Sequence, residues 1–263
     1  MIVDKVFDFL GRRLARYLTA PIPGFQPSTT TDFELLRRAL RPADVLLVEG
    51  NSRVATAIKY LTMSTWSHSA LYVGPIEGHT EPDGEPHVLI EADVENGVVC
   101  APLSKYRDAH TRICRPVGLD EGGRKKVVEF VLARHGLQYD VKNIVDLLRY
   151  LLPTPPVPSR FRRRMLALGS GEPTRAICST LIAQAFQSVR YPILPSVKHV
   201  DDPHSPVRGE GARREILHIR HHSLFAPRDF DISPYFAIVK PTLEGGFDYR
   251  KVPWAGKTDQ AAA

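Results

Sequence analysis

With 263 residues, 43% of them hydrophobic, and no internal repeat or long low-complexity tract, the chain is long enough to bury a large core as one big domain or two small ones. Its formal charge of +6, from 35 Lys+Arg against 29 Asp+Glu, suits weak attraction to anionic partners without choosing among them. Cys100, Cys114 and Cys178 lack Cys-x-x-Cys spacing, which argues against a disulfide scaffold or a compact zinc motif and for free thiols in a reducing compartment.

Near the start, Val3, Val6, Phe7, Leu10, Leu14, Tyr17 and Leu18 recur at helical period, with Lys5, Arg12, Arg13 and Arg16 elsewhere on the wheel. Asp4, Lys5, Asp8, Arg12 and Arg13 interrupt any secretory apolar core. No apolar run approaches the roughly 20 residues of a membrane span. The expected location is therefore cytoplasmic. This basic amphipathic helix should pack on the protein's own body, the commoner fate, or lie against an anionic inner-membrane surface through residues 1–20.

Thr31-Asp32-Phe33-Glu34 predicts a capped helix to Leu40, ended by Arg41-Pro42. A strand is expected at Asp44–Val48, a helix at Ser52–Leu61, and strands at Ser67–Val73, His87–Val94, Gly97–Ala101 and Thr111–Val117. Helices follow at Lys125–His135 and Val141–Leu152. Strands thus precede the main helices, the pattern of an α+β fold built on an antiparallel sheet.

Pro153, Pro155, Pro156 and Pro158 then predict an extended connection, followed by Arg160, Arg162, Arg163 and Arg164. Such a charge run is most often a solvated face, and its alternative is a phosphate or carboxylate patch. Aromatic residues do not interleave with it, so no nucleic-acid partner is expected. Downstream, His199, His204, His218, His221 and His222 accompany no cysteine or ordered carboxylate spacing. They are expected in a surface loop without metal. Pro227–Pro234 predicts turns before a strand at Tyr235–Val239 that could close over the sheet edge, and Gly256–Ala263 a disordered tail.

Three positions carry candidate chemistry. Cys178 opens a stretch whose apolar residues Ile182, Ala185 and Val189 share its helical face. A thiol in the first turn of a helix is biased toward the nucleophilic thiolate by unpaired N–H groups and the helix dipole, although a buried core cysteine is the simpler reading of this segment alone. His68 alternates with Trp66, Ala70 and Tyr72 on one strand face. It is either a core histidine or a rigidly held general base. Glu91 and Asp93 project opposite Val88, Ile90, Ala92 and Val94, so one of them can orient the imidazole if the two strands pair.

These blocks, in this order, resemble the circularly permuted NlpC-type cysteine hydrolases of the papain-like superfamily, the YiiX/YebB-like group. The resemblance rests on Ser52-Arg53, Ala57-Ile58 and Thr62 leading into Trp66-Ser67-His68-Ser69, and on Ile90-Glu91-Ala92 with Gly97-Val98 and Pro102-Leu103. Gly136, Tyr139-Asp140 and Cys178-Ser179-x-Leu181-Ile182 complete it. It implies a permuted papain-like α+β domain over residues 41–242, after an N-terminal helical segment (1–40) and before a C-terminal tail (243–263). It also implies Cys178 as nucleophile, His68 as base, Glu91 as third member and Tyr139 lining the site, with no cofactor.

The implied activity is hydrolysis of an amide in a small molecule or peptide. Acyl-lipid chemistry of the lecithin:retinol acyltransferase-like type and a non-catalytic lipid- or peptide-binding module are the alternatives. Thr180 departs from the family pattern, which often has Glu or Gly there. The insertion at 152–176 is longer than the usual connection and could form a lid or a wall of the cleft.

Overall fold

The computed structural model describes residues 17, 19–22, 32–93, 96–137, 177–201, 213–218 and 220–251. Predictions for residues 1–16, the helix at 141–152, Tyr139, the insertion at 152–176 and the tail at 256–263 lie outside these. Among the described residues no helix is long and apolar enough to cross a membrane.

Helix α1 (Phe33–Ala39) begins where Asp32 accepts from the Glu34 and Leu35 amides, and it ends at Leu40 in extended conformation ahead of Pro42. Strand β1 (Val45–Val48) has all four residues buried and leads to α2 (Arg53–Thr62), capped by Ser52. Then come β2 (His68–Tyr72), β3 (His87–Asp93), β4 (Gly97–Pro102), a 3-10 turn at Leu103–Tyr106, and β5 (Thr111–Pro116). Helix α3 (Glu121–Leu132) starts earlier than the apolar periodicity suggests, because the Asp120 carboxylate accepts from the Gly123 amide. The described chain continues with α4 (Ile177–Ser188), β6 (Ser196–Asp201), β7 (Arg213–His218), α5 (Pro227–Asp231), β8 (Phe236–Val239) and α6 (Pro241–Glu244).

Six strands form one sheet in the order β4-β3-β2-β1-β5-β8, with every neighbouring pair antiparallel. Its two faces are both covered. Val45, Leu47, Leu71, Ile90, Ala92 and Cys114 pack with α3, α4 and the rings of Phe186, Phe230 and Phe236. Leu46, Val48, Ala70, Leu89 and Ile113 pack with Leu36 and Ala39 of α1 and with Leu103 and Tyr106. A strand buried on both faces loses its alternation, which is why β1 is a continuous apolar run. The aromatic cluster closes the α4 layer, with Phe186 and Phe236 edge-to-face at 5.1 Å between centroids.

A buried ion pair fixes β5 to β1. The Arg115 guanidinium donates to Asp44 through Nε (2.9 Å to Oδ1, 3.2 Å to Oδ2) and through Nη2 (2.8 Å to Oδ2), while the Arg41 amide donates to Oδ2 at 2.9 Å.

Three expectations need correction. The distal histidines do not share a surface loop: His199 and His218 lie on the paired strands β6 and β7, and His222 sits in a short 3-10 turn, half-buried beside Gln184. The apolar content of the region is low, so pairing rather than burial pattern defines this hairpin. The segment expected as turns at 227–234 contains the short helix α5, where the buried Asp229 side chain caps the Ala226 amide at 3.0 Å. Finally, the chain just beyond 242 still packs on the fold: Glu244 at the end of α6 pairs with Arg115 (3.6 Å), and Gly245 lies so close to Leu35 of α1 that an added Cβ would meet it at 2.9 Å.

Candidate functional site

Cys178 occupies the first turn of α4, the turn whose backbone N–H groups a helix does not itself satisfy. The helix is buried nearly all round at Cys178, Ser179, Thr180, Leu181, Ile182, Ala183, Ala185 and Phe186, so its position against the sheet is fixed by packing. It ends where Arg190 turns left-handed (φ 56°) and the Tyr191 amide returns to the Phe186 carbonyl at 2.9 Å.

His68 is the first residue of β2, opposite Val48 of β1. The chain leading into it is pinned twice. The Ser67 hydroxyl accepts from the Gly50 amide at 2.8 Å, and a Cβ at Gly50 would collide with that same oxygen. Trp66 donates its indole N–H to Asp231 at 3.0 Å, under an Arg112 guanidinium 4.9 Å from the ring. Trp66 packs with the α4-side cluster whereas Ala70 packs with the other, so the expected shared face of Trp66, His68 and Ala70 does not form. Alternation begins only at His68.

Glu91 lies in the middle of β3, opposite Ala70 and Val99, with its side chain fully buried. Its Oε2 meets His68 Nε2 at 2.8 Å and accepts from the Tyr106 hydroxyl, while Oε1 pairs with the Lys105 ammonium. The neighbouring candidate, Asp93, stands at the strand end and caps the following turn, accepting from the Asn96 amide at 2.9 Å. Between the two acids, geometry selects Glu91 as the partner of His68.

The cysteine, histidine and glutamate named from sequence are thus brought together, and Lys105, Tyr106, Ser69 and Ser179 join them. Tyr106 and Lys105 come from the 3-10 turn after β4. The only sequence signal for them was the Pro102-Leu103 step, where proline ends the strand and turns the chain back over β3. Ser69 and Ser179 are both buried, with hydroxyls 3.4 Å apart, linking β2 to α4 beside the thiol. Thr180 is buried too, and its hydroxyl has no hydrogen-bond partner among the described residues.

The electrostatics follow from these contacts. Burial alone would raise the Cys178 thiol, but the His68 charge and hydrogen bond, together with the Ser69 hydroxyl and amide, outweigh it and bring the thiol down to about 7. Burial would lower His68, yet Cys178 and Glu91 hold its proton up to about 10. Burial would raise Glu91, and the bond and charge of His68 with the charge of Lys105 bring it instead to about 2.

Burial and the Glu91 charge push the Tyr106 phenol well above its ordinary range, keeping it a donor. Cys114 and Cys100 both move upward through burial, the opposite of Cys178. With Nε2 engaged by Glu91, Nδ1 is the ring nitrogen left for the thiol. A thiolate–imidazolium pair with a third group orienting the ring is an arrangement capable of nucleophilic attack and proton return.

One group of three or more His, Cys, Asp or Glu side chains close enough to hold a metal occurs among the described residues, and it shares no member with this cluster.

No protein-family model matches the sequence, and no curated protein matches it. Among solved structures, the chain is similar to the metalloprotein yiiX from Escherichia coli O157:H7, with a TM-score of 0.43 and 14% sequence identity over 82% of this chain and 98% of that one.

Proposed function

We propose that the chain is a cysteine hydrolase of the circularly permuted papain-like type that cleaves an amide bond through an acyl-enzyme. The observation that supports this most is the placement of a depressed-pKa thiol in the first turn of a helix, beside a histidine whose far nitrogen is held by a buried carboxylate at 2.8 Å. A cysteine kept only for packing needs none of these partners and has its pKa raised, as Cys114 does.

In the reaction, Cys178 Sγ forms a bond to the carbonyl carbon, and the carbonyl oxygen takes up the electron pair as an oxyanion facing the Cys178 N–H. The imidazolium of His68 gives its proton to the amide nitrogen as the C–N bond breaks and the amine leaves. Water then loses a proton to His68 and attacks the thioester. Breaking the C–S bond releases the carboxylic acid and restores the thiolate–imidazolium pair. Glu91 keeps the ring oriented and stabilises its charge throughout; Lys105 and Tyr106 keep Glu91 ionised and in place.

The test is acylation of Cys178 by N-acylated aminocoumarin substrates, followed by mass analysis of the Cys178 peptide. Fluorophore release with an acyl mass on Cys178, both absent in Cys178→Ala, is the expected result. Release that persists in Cys178→Ala refutes the proposal, as does an acyl mass carried elsewhere.

A further inference from the structure

We propose that His79, Cys100 and His135 form a binding site for a borderline-soft divalent cation, zinc foremost, on the β4 edge of the sheet. One ligand atom from each residue lies within 4.8 Å of the other two. Three distant parts of the sequence supply them: the loop between β2 and β3, the middle of β4, and the segment leaving α3. Residues spaced this way match no short metal motif, which is why the sequence alone shows nothing here.

The backbone holds each ligand in place independently of any ion. The His79 carbonyl accepts from the His87 amide at 2.9 Å, anchoring the loop to the start of β3. Cys100 stands opposite Ile90 in the β3–β4 ladder. Beyond α3, the Gly136 amide donates to the Val98 carbonyl and the Val98 amide to the Leu137 carbonyl, both at 2.9 Å. That pair of bonds lays the segment along the outer edge of β4 and brings His135 beside Cys100.

The ring of His79 is also set in the tautomer a metal requires. Its Nδ1 lies 3.0 Å from the Glu77 carbonyl, and a carbonyl can only accept, so Nδ1 carries the hydrogen. This leaves the Nε2 lone pair available, and the carbonyl serves as the outer partner that ligating histidines commonly have. The His79 and His135 rings meet edge-to-face, 5.0 Å between centroids at 89°.

Tetrahedral zinc, with Zn–N near 2.0–2.1 Å and Zn–S near 2.3 Å, sets its ligand atoms roughly 3.3–3.6 Å apart. A spacing within 4.8 Å calls for a contraction of at most about 1.5 Å, within reach of side-chain rotation for an exposed His135 and a half-buried His79. Two imidazoles and a thiolate favour zinc, and cobalt as its stand-in, over magnesium or calcium. Water completes the fourth position, and the Cys100 proton passes to solvent as the metal–sulfur bond forms.

Cobalt(II) and zinc titrations of the full-length chain test this. We expect one equivalent of cobalt to bind tetrahedrally with a thiolate-to-cobalt charge-transfer band, and zinc to displace it. The band should vanish in Cys100→Ala and persist in Cys178→Ala. In His135→Ala, whose exposed side chain leaves the 136–137 backbone bonds intact, cobalt and zinc affinity should fall at least about tenfold, no less than loss of an outer-shell partner costs. This variant keeps the test decisive even if Cys100→Ala folds poorly. A spectrum without the sulfur band, a band lost with Cys178 rather than Cys100, or unchanged affinity in His135→Ala overturns the site.

Discussion

Replacing His68 with alanine isolates what holds Cys178 as a thiolate. In the wild type, the imidazolium and Ser69 bring the thiol from 9.0 down to about 7 against the burial that opposes them. That lowering corresponds to roughly 3 kcal/mol of preference for the thiolate. Without the ring, burial dominates and the thiol should titrate at or above 9.0, its ordinary value. At pH ~7.5 the thiolate fraction then drops from roughly three quarters to about 3%, about 25-fold.

A thiolate of higher pKa is intrinsically more nucleophilic, however. A Brønsted slope of about 0.4–0.5 over two units returns roughly 6–10-fold of the loss. A single alkylation rate near neutrality would therefore fall only about three-fold, too little to be decisive. The midpoint of the pH–rate curve does not suffer this compensation. Iodoacetamide labelling of the Cys178 peptide, followed by mass spectrometry from pH ~5 to ~10, should give a midpoint near 7 in the wild type and at or above 9 in His68→Ala. Coincident midpoints in the two proteins, or a wild-type midpoint near 9, would refute the thiolate–imidazolium argument.

The pH profile of kcat/KM should be bell-shaped, rising through about 7 as Cys178 ionises and falling through about 10 as His68 loses its proton. A profile with no acid limb near 7 counts against the thiol. In Glu91→Gln, kcat/KM should drop by about a hundredfold or more and the alkaline limb should move down, because the carboxylate no longer supports the imidazolium; circular dichroism checks that the fold persists. Since Glu91 is held below its ordinary 4.5, its stabilisation is present above that pH and is lost as pH falls toward about 2. Urea unfolding across this range should show a decline of up to about 3 kcal/mol in the wild type that Glu91→Gln lacks. Arg115→Ala leaves the fully buried Asp44 carboxylate without its guanidinium and should cost about 3–5 kcal/mol, read as a lowered urea midpoint.

Local chemistry made much of the frame legible. The Asp32 cap and the helix expected from Ser52 gave starts to within two residues, and strands β2 to β5 follow from β-rich runs bounded by turns. The order of the histidine strand, glutamate strand and cysteine helix was legible as well. What could not be read were properties set by layers. Alternation in β3 placed Glu91 on the face opposite Ile90 and Ala92, but could not show that Leu103 and Tyr106 cover that face and make the carboxylate a buried hub. Lys105 and Tyr106 looked like ordinary loop residues because their importance arises only when the turn after β4 folds over β3. The β6–β7 hairpin carries little apolar pattern, and pairing at long range leaves no periodic trace.

The split of the site along the chain bears on the order in which the protein becomes reactive. The β2–β3 pairing that joins His68 to Glu91 is local, and these residues leave the ribosome well before α4. Cys178 lies on a later helix that packs on the face of these strands, and β8 joins the sheet from later still in the chain. Until α4 docks, the thiol lacks both His68 and Ser69 and behaves as an ordinary cysteine, unready for attack on neighbouring carbonyls during synthesis. His68 and Glu91 are thus close in sequence, whereas the lowered pKa of Cys178 depends on contacts that only the completed fold supplies.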